Sequence, residues 1–157
     1  MTFDTAGPAE SVSPLDRLLH ERACERLIMQ YAVAVNRWDL DHFVSLFMPD
    51  AEWQRPGVPL LKGHAEIRAF MEGQPVARTL RHVNGGCIVT IVDDTSAHAL
   101  SQTTVYDSPV HDRLPASVPG PDMIVEYADR LQFRDGAWRF ARRDTTVVFV
   151  GPRTGDQ

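Results

Sequence analysis

Apolar positions follow two periods along this chain. Between Leu15 and Val35 they recur three or four apart, at Leu18, Leu19, Ala23, Leu27, Ile28, Tyr31, Ala32 and Val35. Arg17, Glu21, Arg22, Glu25 and Arg26 occupy the rest of the wheel. The spacing predicts a helix over 14–36, with Ser13 as cap and Pro14 in the first position. After a break at Asn36-Arg37-Trp38, Asp39 is suited to cap a shorter helix that sets Phe43, Leu46 and Phe47 on one face and ends at Met48-Pro49-Asp50. Residues 51–55 predict a short strand, stopped by Pro56-Gly57-Val58-Pro59. Gly63-His64-Ala65-Glu66 leads into a third helix carrying Ile67, Phe70 and Met71.

From Thr79 onward the chain turns to strand-like sequence rich in Val, Ile and Thr. Strands are predicted over 80–92, 97–107, 123–133 and 138–150. Gly85-Gly86 inside the first marks a bulge or sharp bend. Asp135-Gly136 is a hairpin signal, and the loop over 108–122 holds Pro109, Pro115, Pro119 and Pro121. Helices followed by hairpin-linked strands make an α+β domain over 14–150, between a flexible lead-in over 1–13 and a polar tail over 151–157. The expected architecture is a cone-like α+β barrel. Three N-terminal helices pack on a strongly curved, mainly antiparallel sheet and enclose an apolar pocket.

A chain of 157 residues, 43% hydrophobic and 24% charged, suits one soluble globular domain. Its net charge of -5 argues against nucleic acid as a partner. No apolar run reaches membrane-spanning length, and the polar, acidic start is unlike a signal peptide. Cys24 and Cys87 fall on unlike elements and are expected to be buried thiols, in keeping with a cytoplasmic location. His20, His42, His64, His98 and His111 are scattered without zinc-ligand spacing, so no metal is expected. There is no phosphate loop, nucleophile elbow or Ser-His-Asp signal.

His82, opening the first long strand, is the residue best suited to acid–base work, since an unperturbed imidazole titrates near neutrality. The alternative is a structural histidine bonded to backbone or water. Asn84 shares its strand face and either holds a substrate oxygen or satisfies the bend at Gly85-Gly86. Trp53, Phe47, Phe70 and Tyr106 are core or pocket wall. Asp129 and Asp144 are mid-strand carboxylates near Arg130, Arg142 and Arg143, which face either a polar pocket or solvent.

Taken in order, several segments carry a family resemblance. They are Tyr31, Asn36-Arg37-Trp38-Asp39-Leu40-Asp41, Leu46-Phe47-Met48-Pro49-Asp50-Ala51-Glu52-Trp53, Gly63-His64-Ala65-Glu66-Ile67, Arg81-His82-Val83-Asn84, Tyr127-Ala128-Asp129-Arg130 and Asp135-Gly136-Ala137-Trp138-Arg139-Phe140. Over roughly 15–148 the chain resembles the SnoaL-like group of the nuclear-transport-factor-two-like superfamily. The resemblance implies a cone-shaped pocket and no cofactor. In members like scytalone dehydratase, lindane dehydrochlorinase or bile-acid dehydratase it implies an Asp–His pair. The strand position matches as His82, whereas the helix position is Asn36, which can fix the ring's tautomer but not raise its basicity by charge. It also implies a substrate-facing hydroxyl at Tyr31, a wall residue at Trp53 and an inward arginine at Arg143.

The expected function is therefore cofactor-independent elimination, isomerisation or cyclisation of a hydrophobic cyclic small molecule such as a polyketide, steroid or terpenoid. His82, Tyr31 and Asn36 would be the catalytic group, with Trp53, Phe47, Asn84, Tyr106, Arg143 and Asp144 around the substrate. One alternative is a non-catalytic binding or structural subunit. Another is an epoxide hydrolase, which would need Asp129 or Asp144 in the pocket beside an arginine. The resemblance further implies a homo-oligomer, dimer or trimer, formed through the convex sheet face.

Overall fold

The computed structural model describes residues 12–110 and 112–151; the lead-in before Val12, His111 and the tail beyond Gly151 lie outside the described residues. Helix α1 (Pro14–Arg37) begins where the Ser13 hydroxyl accepts the Asp16 backbone N–H at 3.1 Å, and ends in a left-handed turn at Trp38. Its inner stripe of Cys24, Leu27, Ile28, Tyr31, Ala32 and Val35 is buried, as the periodicity predicts, whereas Leu15, Leu18 and Leu19 are exposed. Helix α2 (Leu40–Ser45) is capped by Asp39, whose carboxylate accepts the His42 N–H at 3.0 Å.

Strand β1 (Phe47–Arg55) starts earlier than the pattern suggests, so Phe47 and Met48 are strand residues rather than the end of a helix. The Pro56-Gly57 stop is a turn into a further strand, β2 (Val58–Lys62), before helix α3 (Gly63–Glu72). The four long strands are β3 (Thr79–Ile91), β4 (Ser96–Ser108), β5 (Met123–Arg134) and β6 (Ala137–Val150). The sheet runs β2-β1-β6-β5-β4-β3, antiparallel except for the parallel β1–β6 pair. The fold is α+β with a mixed, predominantly antiparallel sheet. The sheet is open: β2 and β3 are its two edges, so the helices and not a closed barrel complete the enclosure.

The long strands alternate between an inner, more buried face and an outer one. The alternation is clearest in β4, where Ala97, Ala99, Ser101, Thr103 and Val105 are buried and His98 and Gln102 exposed. Register shifts break this phase at several places, two of which bear on the site. In β3, Asn84 pairs with Thr103 and Gly86 with Gln102, leaving Gly85 unpaired. The inward set thus changes from Leu80, His82 and Asn84 to Cys87, Val89 and Ile91. In β6, Leu131 pairs with Phe140 and Arg130 with Arg142, leaving Ala141 unpaired, so Phe140 and Arg143 share the inner face.

An aromatic cluster fills the core below the sheet's β1 end. Tyr31, Phe43, Phe47, Trp53 and Phe140 lie with neighbouring ring centroids 5.2 to 6.3 Å apart. Each such pair adds about 0.5–1.5 kcal/mol beyond the area it buries.

Gly86 has φ +132, a conformation that a side chain strains. Gly86→Val is expected to lower stability by about 1–3 kcal/mol in urea unfolding. Gly85→Ala, whose added Cβ would make only an ordinary contact 3.7 Å from the Gln102 carbonyl oxygen, should stay within about 0.5 kcal/mol of wild type.

Candidate functional site

The Asn36 side chain ties the end of the helix that closes at Arg37 to the strand that begins at Thr79. The Asn36 side-chain oxygen accepts the backbone N–H of His82 at 2.8 Å and lies 2.9 Å from the same residue's Nδ1. A backbone N–H only donates, so the atom facing it must be the amide oxygen, and the neighbouring Nδ1 must carry the proton. His82 is therefore the Nδ1–H tautomer, with an Nε2 lone pair that has no partner among the described residues. Burial first, then the positive charges of Arg55 and Arg143, depress the imidazole from its usual 6.5 to about 4. At neutral pH the ring is uncharged.

His82 lines a cavity of about 350 Å³. Tyr31, Val35, Trp38, Trp53, Met71, Leu80, Val105, Met123, Val125, Tyr127 and Val147 make its wall largely apolar. The pocket is not apolar throughout, because Arg55, Gln74, Arg78, Asp107, Asp122 and Thr145 also line it. Arg78 donates to Asp107 in a close ion pair. Asp107 sits above the ordinary carboxylate range, mainly through burial, with Arg78 opposing the shift and Asp122 adding to it. Trp53 is fixed by its indole N–H, which donates to the Thr145 hydroxyl at 3.3 Å.

Of the predicted site residues, His82, Tyr31 and Trp53 meet at this cavity, and Asn36 stands directly behind His82. Phe47 is not in the wall, because it packs deeper among Tyr31, Phe43 and Phe140. Asn84 faces inward but further along β3, where it accepts from the Thr103 hydroxyl at 2.8 Å and approaches the Met29 sulfur. Tyr106 lies between Val105 and Asp107, which both line the cavity, so strand alternation turns it to the opposite face. Asp144 is likewise outside the wall, one residue off the inward phase, and receives Arg142 Nε and Nη2 at 2.8 Å each.

Arg143 does point inward, yet beneath the cavity. It is fully buried and donates in bidentate fashion to Asp129, from Nε at 2.8 Å and from Nη2 at 2.7 Å. Its guanidinium carbon is 4.0 Å from the Tyr31 ring centre, 4.2 Å from Tyr127 and 4.1 Å from Phe140. Burial raises the Asp129 carboxyl above its ordinary range and Arg143 opposes this; the bidentate geometry marks an ionised pair. The epoxide-hydrolase arrangement is not formed, since neither Asp129 nor Asp144 reaches the cavity wall. No group of His, Cys, Asp and Glu among the described residues is arranged to hold a metal ion.

Sequence reading passed over Arg55, Thr145 and Tyr127. Arg55 had a readable signal: it is two residues beyond Trp53 and hence on the same strand face. Thr145 and Tyr127 depended on the β6 bulge and on strand register, which the sequence does not display.

Two outcomes test this geometry. Asp129→Asn leaves a buried guanidinium without its counter-charge and should cost about 3–5 kcal/mol in denaturant unfolding, whereas Asp129→Leu combined with Arg143→Met should recover most of it. Asn36→Asp places a carboxylate beside Nδ1 and should raise the His82 pKa by about 1–3 units, read from the imidazole proton resonances. In wild type the unfolded state binds the proton near 6.5 and the native state only near 4. His82 therefore stabilises the fold fully above pH 6.5, and roughly 3 kcal/mol is lost as pH falls through that window. Urea midpoints for wild type and His82→Gln should converge accordingly.

The model of the SnoaL-like domain family matches residues 16–144. Among solved structures, the hexachlorocyclohexane dehydrochlorinase LinA-type3 from Novosphingobium barchaimii LL02 superimposes with a TM-score of 0.74 at 18% identity, covering 91% of this chain and 96% of that one. A candidate scytalone dehydratase from Novosphingobium aromaticivorans DSM 12444 gives 0.74 at 20% identity, over 92% and 99% of the two chains. An NTF2-like protein with a cystatin-like fold from Novosphingobium aromaticivorans gives 0.71 at 24% identity, over 84% of each. Curated protein sequences gave no significant match. The structural likenesses establish a shared fold, and the family match spans most of the chain, which therefore belongs to the SnoaL-like family.

Proposed function

We propose that this protein is an acid–base lyase or isomerase that needs no cofactor and acts on a small cyclic molecule held in the His82 cavity. The observation that carries this reading is the unpartnered Nε2 of a neutral imidazole whose other nitrogen is tied to Asn36 at 2.9 Å. Two fold relatives are named for losing hydrogen chloride or water from a small molecule, which is in keeping with it.

His82 Nε2 removes a proton from a carbon next to a carbonyl or leaving group. The resulting imidazolium keeps its Nδ1–H bond to the Asn36 oxygen. Tyr31 lines the same cavity, and its hydroxyl is the donor for the substrate oxygen that gains charge or departs. A base whose conjugate acid has a pKa of about 4 is weak, so Brønsted behaviour restricts it to acidic C–H bonds such as those flanking a ketone. Enclosure supplies the remainder by orienting the substrate and excluding water. Asn36 acts through His82 and is a positioning residue. Assembly into a homo-oligomer through the outer sheet face remains part of this proposal.

A panel of cyclic β-hydroxyketones, followed by ultraviolet absorbance of the conjugated enone, tests the chemistry. His82→Ala should lower turnover by about 10²–10⁴ with ligand affinity nearly unchanged. Unchanged turnover in His82→Ala would sink the proposal and leave a binding module.

A further inference from the structure

Arg55 closes β1 at the turn into β2, and its side chain lines the cavity. Its guanidinium carbon lies 4.8 Å from the Trp53 ring centre and 5.0 Å from that of Phe70. Those contacts place a cation against aromatic faces but engage none of the five N–H donors that a guanidinium carries. Among the described residues no carboxylate lies in ion-pair reach of Arg55 and no oxygen accepts from it, whereas Arg68, Arg78, Arg142 and Arg143 each have acidic partners.

The charge around the cavity is divided. Asp107 is tied to Arg78, and the charges that act on it are those of Arg78 and Asp122. The charges that act on His82 are the cations Arg55 and Arg143, with no carboxylate opposing them. Arg143 already spends two donors on Asp129 and does not reach the cavity. Arg55 is thus a half-buried cation with free donors, on an aromatic shelf, in the cavity that the imidazole also lines.

We infer that Arg55 is a ligand-binding residue that holds a carboxylate of the substrate, which makes the molecules taken by this cavity small cyclic organic acids rather than neutral ring compounds. The inference rests on the His82 cavity being a substrate site. Planar N–H groups suit a carboxylate bidentately, and a charge-assisted bond in a partly desolvated site is strong enough to dominate selection among ligands of equal size. Trp53 and Phe70 hold the cation in place, and the apolar wall from Val35 to Val147 receives the ring.

Calorimetric titration with cinnamate and with cinnamamide, its neutral counterpart of nearly the same shape, tests this in the wild-type chain. Cinnamate is expected to bind at least tenfold more tightly. Arg55→Gln should erase that preference by weakening cinnamate tenfold or more while changing cinnamamide less than twofold. Arg55→Lys, which keeps the charge but not the fork, should retain part of the preference. Equal binding of the two by wild type, or no cinnamate binding at millimolar concentration, overturns the inference without any variant. A preference that survives in a folded Arg55→Gln overturns it too. His82→Ala, titrated alongside, should keep the cinnamate preference; its turnover with hydroxyketones reports on the catalytic reading, so each proposal fails by its own measurement.

Discussion

A buried ion pair holds the floor of the cavity together. Asp129 and Arg143 are directly opposite on neighbouring strands and both point inward, so the sheet's register forces them to meet. Removing two charges from water is costly, and the cost is offset only by good geometry and further contacts. Here the bond is bidentate, and three aromatic rings stack about the guanidinium at 4.0 to 4.2 Å. Two of those rings, Tyr31 and Tyr127, form the cavity wall on their other side. Arg143 Nη1 has no acceptor among the described residues, so the floor keeps both N–H groups of that nitrogen unspent. A positive charge beneath the tyrosines also reaches His82 and helps keep its ring neutral.

Above that floor, chemistry depends on a two-point bridge from the end of α1 to β3. One amide oxygen takes both the backbone and the ring proton of His82. Helix position, strand position and tautomer are therefore set by the same atom. An aspartate there would do the same and add charge. Asparagine keeps the orientation without adding a charge, and the ring is unprotonated near neutrality.

Much of this was legible beforehand. Helical spacing and the Ser13 and Asp39 caps located α1 and α2, and the Asp135-Gly136 turn located the β5–β6 hairpin, because these are local signals. The pairing of Asn36 with His82 rests on resemblance in the sequence, and in the structure the Asn36 oxygen lies 2.9 Å from Nδ1. Less legible was everything that depends on phase. Asp144 and Tyr106 were expected at the pocket and face away from it, while Arg143 points inward only because Ala141 is unpaired. β2 was missed because Val58-Pro59 reads as turn, and Phe47 was assigned to a helix because an apolar pair of that length fits either period. Arg55 falls in the short strand read over 51–55, where the sequence alone assigns it no role.

The bulges at Gly85 and Ala141 divide their strands into segments of opposite parity. Before Gly85, alternate β3 positions answer to the cavity; after it, alternate positions answer to the core. His82 on the cavity side and Val89 and Ile91 on the core side therefore belong to different phases of one strand. Each such strand is two segments spliced end to end, so that a substitution's consequence depends on which side of the bulge it falls.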